Sequence, residues 1–212
     1  MVELDGNSNQ VIALHIACII ITSVAIALRF AARYRKRQSF AWDDGFMIVA
    51  WVTLMVYLGL VIKLTYMGST MLTTAAIPPH DMINIFKLSY ICGIIFETVN
   101  ITVKVSILCF YTRIFTLEVI RREAYTVGAI CAAWYTASVL VTAFQCVPVH
   151  KVWRRNAPGT CINLDGFILG YEVTNALLDI VLIVLPLRLI HSLNLDKRQK
   201  LLLSSIFLLG GL

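Results

Sequence analysis

The stretch Tyr90–Phe115, YICGIIFETVNITVKVSILCFYTRIF, decides the fold. As a helix it is long enough to cross the hydrocarbon of a bilayer, which takes about 20 residues. Its apolar part carries Glu97 and Lys104. Charge inside hydrocarbon is costly, and it usually faces a protein interior or a watery cavity. These two residues are seven apart, about two helical turns, so they share one face. Asn100 lies between them on that face.

The stretch Gly166–Ile190 carries Glu172, Asn175 and Asp179, with the same steps of three and four. Two apolar segments therefore each present a stripe of acid, amide and charge. If the two helices run in the same direction, Lys104 meets Asp179 at depth, while Glu97 and Glu172 sit nearer the outer side. Two readings of these stripes stand side by side. One is a structural clamp between helices. The other is the floor of a ligand or ion cavity.

The rest of the chain fits this setting. Hydrophobic residues make up 59% of the 212, charged ones only 14%, and the mean hydropathy is +0.81. A soluble domain carries about 25% charged residues. The apolar residues come in long blocks divided by short charged ones, the pattern of a helical membrane protein. The formal net charge of +6 comes mostly from residues at the ends of those blocks. Lipid head groups and topology account for it, and no nucleic-acid partner is expected.

The expected architecture is all-α: a polytopic transmembrane helix bundle of five complete spans and a partial sixth. Residues 1–10 form an N-terminal tail, and the spans fall at about 11–33, 45–66, 90–115, 125–145, 166–190 and 201–212. Residues 67–89 are expected as a loop, broken by Pro78 and Pro79, with one helical turn at its end. The last segment, twelve residues, would rise only about 18 Å, so it reads as an incomplete span, as in a truncated product. Twelve Lys and Arg follow spans one, three and five, and five lie on the other side. The positive-inside rule then puts the N-terminus outside and those basic links in the cytoplasm.

Cys18, Cys109 and Cys131 fall within spans, whereas Cys146 and Cys161 share a loop on the outer side. An oxidising compartment permits a lasting bond there. Cys146–Cys161 is the expected disulfide, with Cys92 a competing partner. Pro186 can kink the fifth span. Gly166 and Gly170 form a small-xxx-small pair suited to close helix packing. Trp42-Asp43-Asp44 reads as the N-terminal cap of the second span, with Trp at the interface. The four histidines are scattered without metal-ligand spacing. No P-loop, G-x-G-x-x-G, H-E-x-x-H or G-x-S-x-G is present, so no enzymatic activity is expected.

Five segments in order, ALRFAARY, AWDDGFMIVAW, TVKVSILCFYTRIF, FQCVPVHKVWRRNAPGTC and TNALLDIVLIVLPLRLIHSLNLDKRQKL running into IFLLG, carry a family likeness. The chain resembles the fungal rhodopsin-domain integral membrane proteins, described as seven-helix and G-protein-coupled-receptor-like. That resemblance implies a rhodopsin-like bundle in the plasma membrane, an extracellular small ligand and a cytoplasmic G protein as partner. It also implies a switch or coupling role for Trp42, Asp43 and Asp44, paired with Arg113. No cofactor is expected, because a retinal-binding lysine belongs on a last helix and Lys104 is not on one. A membrane transporter, a proton-coupled carrier and an accessory protein of a biosynthetic pathway are the alternative functions.

Overall fold

The computed structural model describes residues 2–35, 42–73, 79–114 and 118–192. The sixth apolar segment, 201–212, lies outside the described residues. Five long helices make up nearly everything described: α1 Val2–Arg35, α2 Trp42–Thr73, α3 Pro79–Ile114, α4 Glu118–Ala143 and α5 Leu164–Ser192. All five are long and apolar enough to cross a membrane. Their outward faces carry Leu28, Ile21, Leu169 and Val173, each more than half exposed. In water such a surface would aggregate. In a bilayer it is the lipid face, and the protein is a multi-pass membrane protein.

Several helices overrun the expected spans. Residues 2–9, expected as a tail, continue α1 as helix. The expected loop at 67–89 is mostly helix: α2 runs on to Thr73 and α3 starts at Pro79. Pro79 does not break that helix because it opens it. A proline in the first helical position lacks only an N–H that would be unpaired anyway.

Helix α3 is the central post. It packs against α2 and α4 along its length and touches α5. Polar bonds tie the layers where packing alone would let apolar helices slide. Trp51 Nε1 donates to Ser23 Oγ between α2 and α1 at 3.3 Å. Trp134 Nε1 donates to Thr174 Oγ1 between α4 and α5 at 3.0 Å. Hydroxyls of Thr98 and Tyr135 meet at 3.1 Å between α3 and α4.

The apolar core at one end of the bundle gathers Leu108 and Tyr111 of α3, Ala124 of α4, and Leu182 and Leu185 of α5. Pro186 lies within α5 and is fully buried there. Its missing N–H deprives the carbonyl four residues back, Leu182, of its helical partner. Tyr111 replaces that partner: its hydroxyl donates to Leu182 O across the helix interface at 3.2 Å. A buried carbonyl left bare would cost about 1–3 kcal/mol.

At the other end, residues between α4 and α5 form a small antiparallel hairpin, β1 Cys146–Val147 and β2 Thr160–Cys161. Cys146 and Cys161 pair across it and are joined by the disulfide. Cys92, the competing partner, is free and buried. Gly159, with φ +147°, permits the turn into β2. A Cβ there would collide with the Val147 carbonyl and come within 2.7 Å of Pro148 Cδ. Asn163 caps α5 by accepting from the Gly166 N–H at 3.2 Å. Among the described residues no helix packs on the small pair Gly166 and Gly170: a Cβ on Gly170 would meet nothing within 4 Å, and one on Gly166 only the Asn163 side chain.

Two outcomes are expected. Tyr111→Phe should lower stability by about 1–2 kcal/mol in the native background and by much less alongside Pro186→Ala, which restores the helical bond. A double-mutant cycle of unfolding in detergent measures this. Gly159→Ala should raise the share of protein with Cys146 and Cys161 unpaired, read by mass spectrometry after thiol blocking.

Candidate functional site

Beneath the hairpin lies a cavity of about 680 Å³ between the start of α3, the end of α4 and the start of α5. Its size suits a drug-sized molecule. Rings of Tyr90, Phe96, Phe167 and Tyr171 face it, with Glu97 and Glu172 among them. Lys151 and Arg155 of the hairpin line it from the opposite direction.

Each wall is held from behind. Tyr171 stacks on Trp134 of α4, ring centroids 4.7 Å apart. Phe96 lies 6.1 Å from Tyr171 and 5.5 Å from Tyr57 of α2. A belt of rings thus crosses from α2 through α3 and α5 to α4. Tyr90 donates to the terminal carbonyl of α4 at Ala143, 3.1 Å away. The hairpin is pinned to α3 by cations on rings: Arg155 over Phe86 at 4.4 Å and Lys87 over Trp153 at 5.8 Å. Trp153 also meets Tyr90 edge-on. Lys151 Nζ donates to the Gly159 carbonyl and so braces the hairpin itself.

Glu97 is 4% exposed. Its Oε1 accepts from Thr142 Oγ1 of α4 at 2.5 Å. Its Oε2 is buried and has no hydrogen-bond partner among the described residues. The Ser138 hydroxyl stands within hydrogen-bonding reach of the Glu97 carboxyl and donates to the Tyr135 carbonyl at 3.0 Å. Glu172 is exposed on the α5 wall. Asn100 donates to the Phe96 carbonyl of its own helix at 3.0 Å and lies beside Tyr171. Asn175 Oδ1 is buried and without a hydrogen-bond partner among the described residues.

Lys104 and Asp179 form an ion pair between α3 and α5. Lys104 is almost completely buried, whereas half of the Asp179 side chain is uncovered by the described residues. Neither residue lines the cavity. The two polar stripes therefore divide in position along their length: the glutamates line the cavity, and the lysine–aspartate pair joins α3 to α5 below it.

At the opposite end, Asp44 sits in the first turn of α2 with no exposed surface. It takes an ion pair from Arg33 of α1, and Arg113 of α3 stands 4.0 Å away. Arg29 adds a second tie from α1, its guanidinium 5.1 Å from the Phe110 ring centroid. Three helices are thus joined at one carboxylate. The sequence pointed to Asp44 and Arg113 and missed Arg33, although the short link between α1 and α2 leaves Arg33 within reach. The side chains of Trp42 and Asp43 lie outside the described ones. Thr142, Phe96 and Tyr171 were also missed. Tyr171 is four residues before Asn175, so helical spacing places it on the striped face.

Comparison with known proteins identifies the architecture. The fungal rhodopsin domain matches residues 28–212. The chain is 28% identical over 216 residues to the Wortmanamides biosynthesis cluster protein C of Talaromyces wortmannii, covering 98% of this chain and 59% of that protein. It is 30% identical over 139 residues to a SAT4 family membrane protein of Emericella nidulans, 63% of this chain and 36% of that one. It is 23% identical over 127 residues to Receptor GIN3 of Arthrobotrys oligospora, 59% of this chain and 31% of the receptor. The chain spans 59% or less of the length of each of these relatives. No solved structure matches it significantly. With a match that begins in α1 and runs through α5, the chain belongs to the fungal rhodopsin domain family.

Proposed function

We propose that this protein is a plasma-membrane sensor of the receptor type that binds a small amphipathic molecule in the cavity under the hairpin. The observation that carries the reading is the cavity itself: about 680 Å³, walled by rings, with a buried acid at its base. An apolar body would fill the ring-lined space, and a polar group would reach Glu97 or Glu172. Similarity to Receptor GIN3 supports the receptor role. The excess of Lys and Arg after spans one, three and five supports an outside N-terminus and an outward-facing hairpin.

In this reading α3 is the connecting rod. It carries Phe96 and Glu97 at the cavity and Arg113 near Asp44 at the other end. A ligand that shifts α3 along its axis changes the Arg33–Asp44–Arg113 cluster, which faces a cytoplasmic partner such as a G protein. Similarity to a protein named for the wortmanamides biosynthesis cluster favours a second reading. The same cavity would then serve an accessory membrane protein of a small-molecule pathway.

The test uses full-length protein in lipid nanodiscs and fractionated extracts of small amphipathic compounds. A fraction should raise the melting temperature of the native protein and leave Gly93→Trp, which fills the cavity, unmoved. An equal rise in both would remove the cavity from consideration. For the receptor role, Asp44→Asn should keep the ligand-induced rise and lose ligand-dependent recruitment of the cytoplasmic partner.

The Lys104–Asp179 pair below the cavity has a separate expected outcome. Lys104→Asp or Asp179→Lys alone should cost about 3 kcal/mol, the low end for a buried pair because Asp179 is half exposed. The exchanged double variant should regain expression and keep the thermal response to ligand. Regained expression with no response would put Lys104 in the binding machinery instead.

A further inference from the structure

We propose that the molecule taken up by the cavity carries a protonated amine, and that Glu97 is its counter-ion. The proposal rests on the reading of the cavity as a ligand site and names the ligand's chemistry. Glu97 is 4% exposed, lines the cavity, and keeps one carboxylate oxygen, Oε2, without a hydrogen-bond partner among the described residues. Thr142 satisfies the other oxygen. A buried acceptor left bare is costly, and a carboxylate left bare more so. An ammonium donates directly to such an oxygen and cancels its charge in one contact.

Among the described residues, the cations on the cavity wall and the lysine below it are engaged elsewhere. Lys151 gives its ammonium to the Gly159 carbonyl, and the Arg155 guanidinium lies over Phe86. Lys104, seven residues along α3 from Glu97, is about 10 Å deeper and is held by Asp179. The remaining titratable groups on the cavity wall are Glu172, Tyr90 and Tyr171. Tyr90 donates to the Ala143 carbonyl. Glu172 forms no ion pair among the described residues and adds a second negative charge to the wall.

The rings complete the case. Phe96 and Tyr171 face the space beside Glu97, and the negative face of an aromatic ring attracts a desolvated cation. Carboxylate and ring faces together form the chemical surroundings that an organic ammonium needs in place of water. A ligand carboxylate would meet two like charges there and is disfavoured.

The test measures fluorescence of dansylcadaverine, an aliphatic primary amine tethered to an aromatic fluorophore, on full-length protein in nanodiscs, with empty nanodiscs subtracted. Its neutral N-acetyl derivative is the comparison. The amine should bind tighter than the derivative by about tenfold or more, the gain typical of a charged over a neutral hydrogen bond. Glu97→Gln should cut that preference to about twofold or less. Should Glu97→Gln fail to fold, Glu172→Gln on the exposed wall should still reduce the preference, by several-fold. Equal or tighter binding of the neutral derivative would overturn the amine and leave the cavity standing. A preference that survives both substitutions would overturn it too. Binding of neither compound would sink the amine proposal; the extract experiment with Gly93→Trp judges the cavity independently.

Discussion

A charge held at mid-bilayer depth has to be answered from within the protein, and that demand organises this bundle. Lipid offers neither hydrogen bonds nor counter-ions. Helices whose surfaces are uniformly apolar have little reason to choose one neighbour or one rotation over another. Lys104 gives α3 such a reason, because Asp179 of α5 has to come to it. Asp44 does the same at the far end for Arg33 of α1, with Arg113 of α3 close by. The weaker hydroxyl and indole bonds fill in between these fixed points.

The same logic explains why the hairpin end differs from the other. At the Asp44 end the buried carboxylate meets Arg33 and has Arg113 4.0 Å away, while Arg29 lies on the Phe110 ring. At the hairpin end two cations turn to rings and a carbonyl, and two acids stay without them. The buried carboxylate at one end has cations beside it, and the buried carboxylate at the other, Glu97, has none in an ion pair among the described residues. Pro186 lies toward the Asp44 end: it frees the Leu182 carbonyl, and Tyr111 of the neighbouring helix takes that carbonyl up.

Much of this was legible in the chain. Long apolar blocks and the placement of Lys and Arg are properties of composition along a line, and they sufficed for five spans. Helical spacing made Glu97, Asn100 and Lys104 one face, and Glu172, Asn175 and Asp179 another. The lysine–aspartate contact followed from needing partners at equal depth. The cysteine pair followed from sharing one loop, and the antiparallel hairpin then set Cys146 against Cys161. What stayed hidden depended on how helices rotate against each other. Thr142 on Glu97, Trp134 on Tyr171 and Tyr111 on Leu182 are contacts between residues 37 or more positions apart, with no pattern to link them. The early start of α3, ahead of the expected span, was misjudged because Pro79 was taken as a breaker when its position made it a starter.

The two charge pairs also differ in when they become available as the chain is made. Arg33 and Asp44 are 11 residues apart, so the second emerges almost at once after the first. Lys104 and Asp179 are 75 residues apart. At roughly 5–20 residues per second, α3 waits on the order of 4–15 s for its counter-ion. Over that interval the growing chain has an ammonium whose partner, Asp179, is not yet made. The completion of α5 is therefore the moment at which α3 can be released to settle in lipid, and the bundle is assembled in an order written into the spacing of its charges.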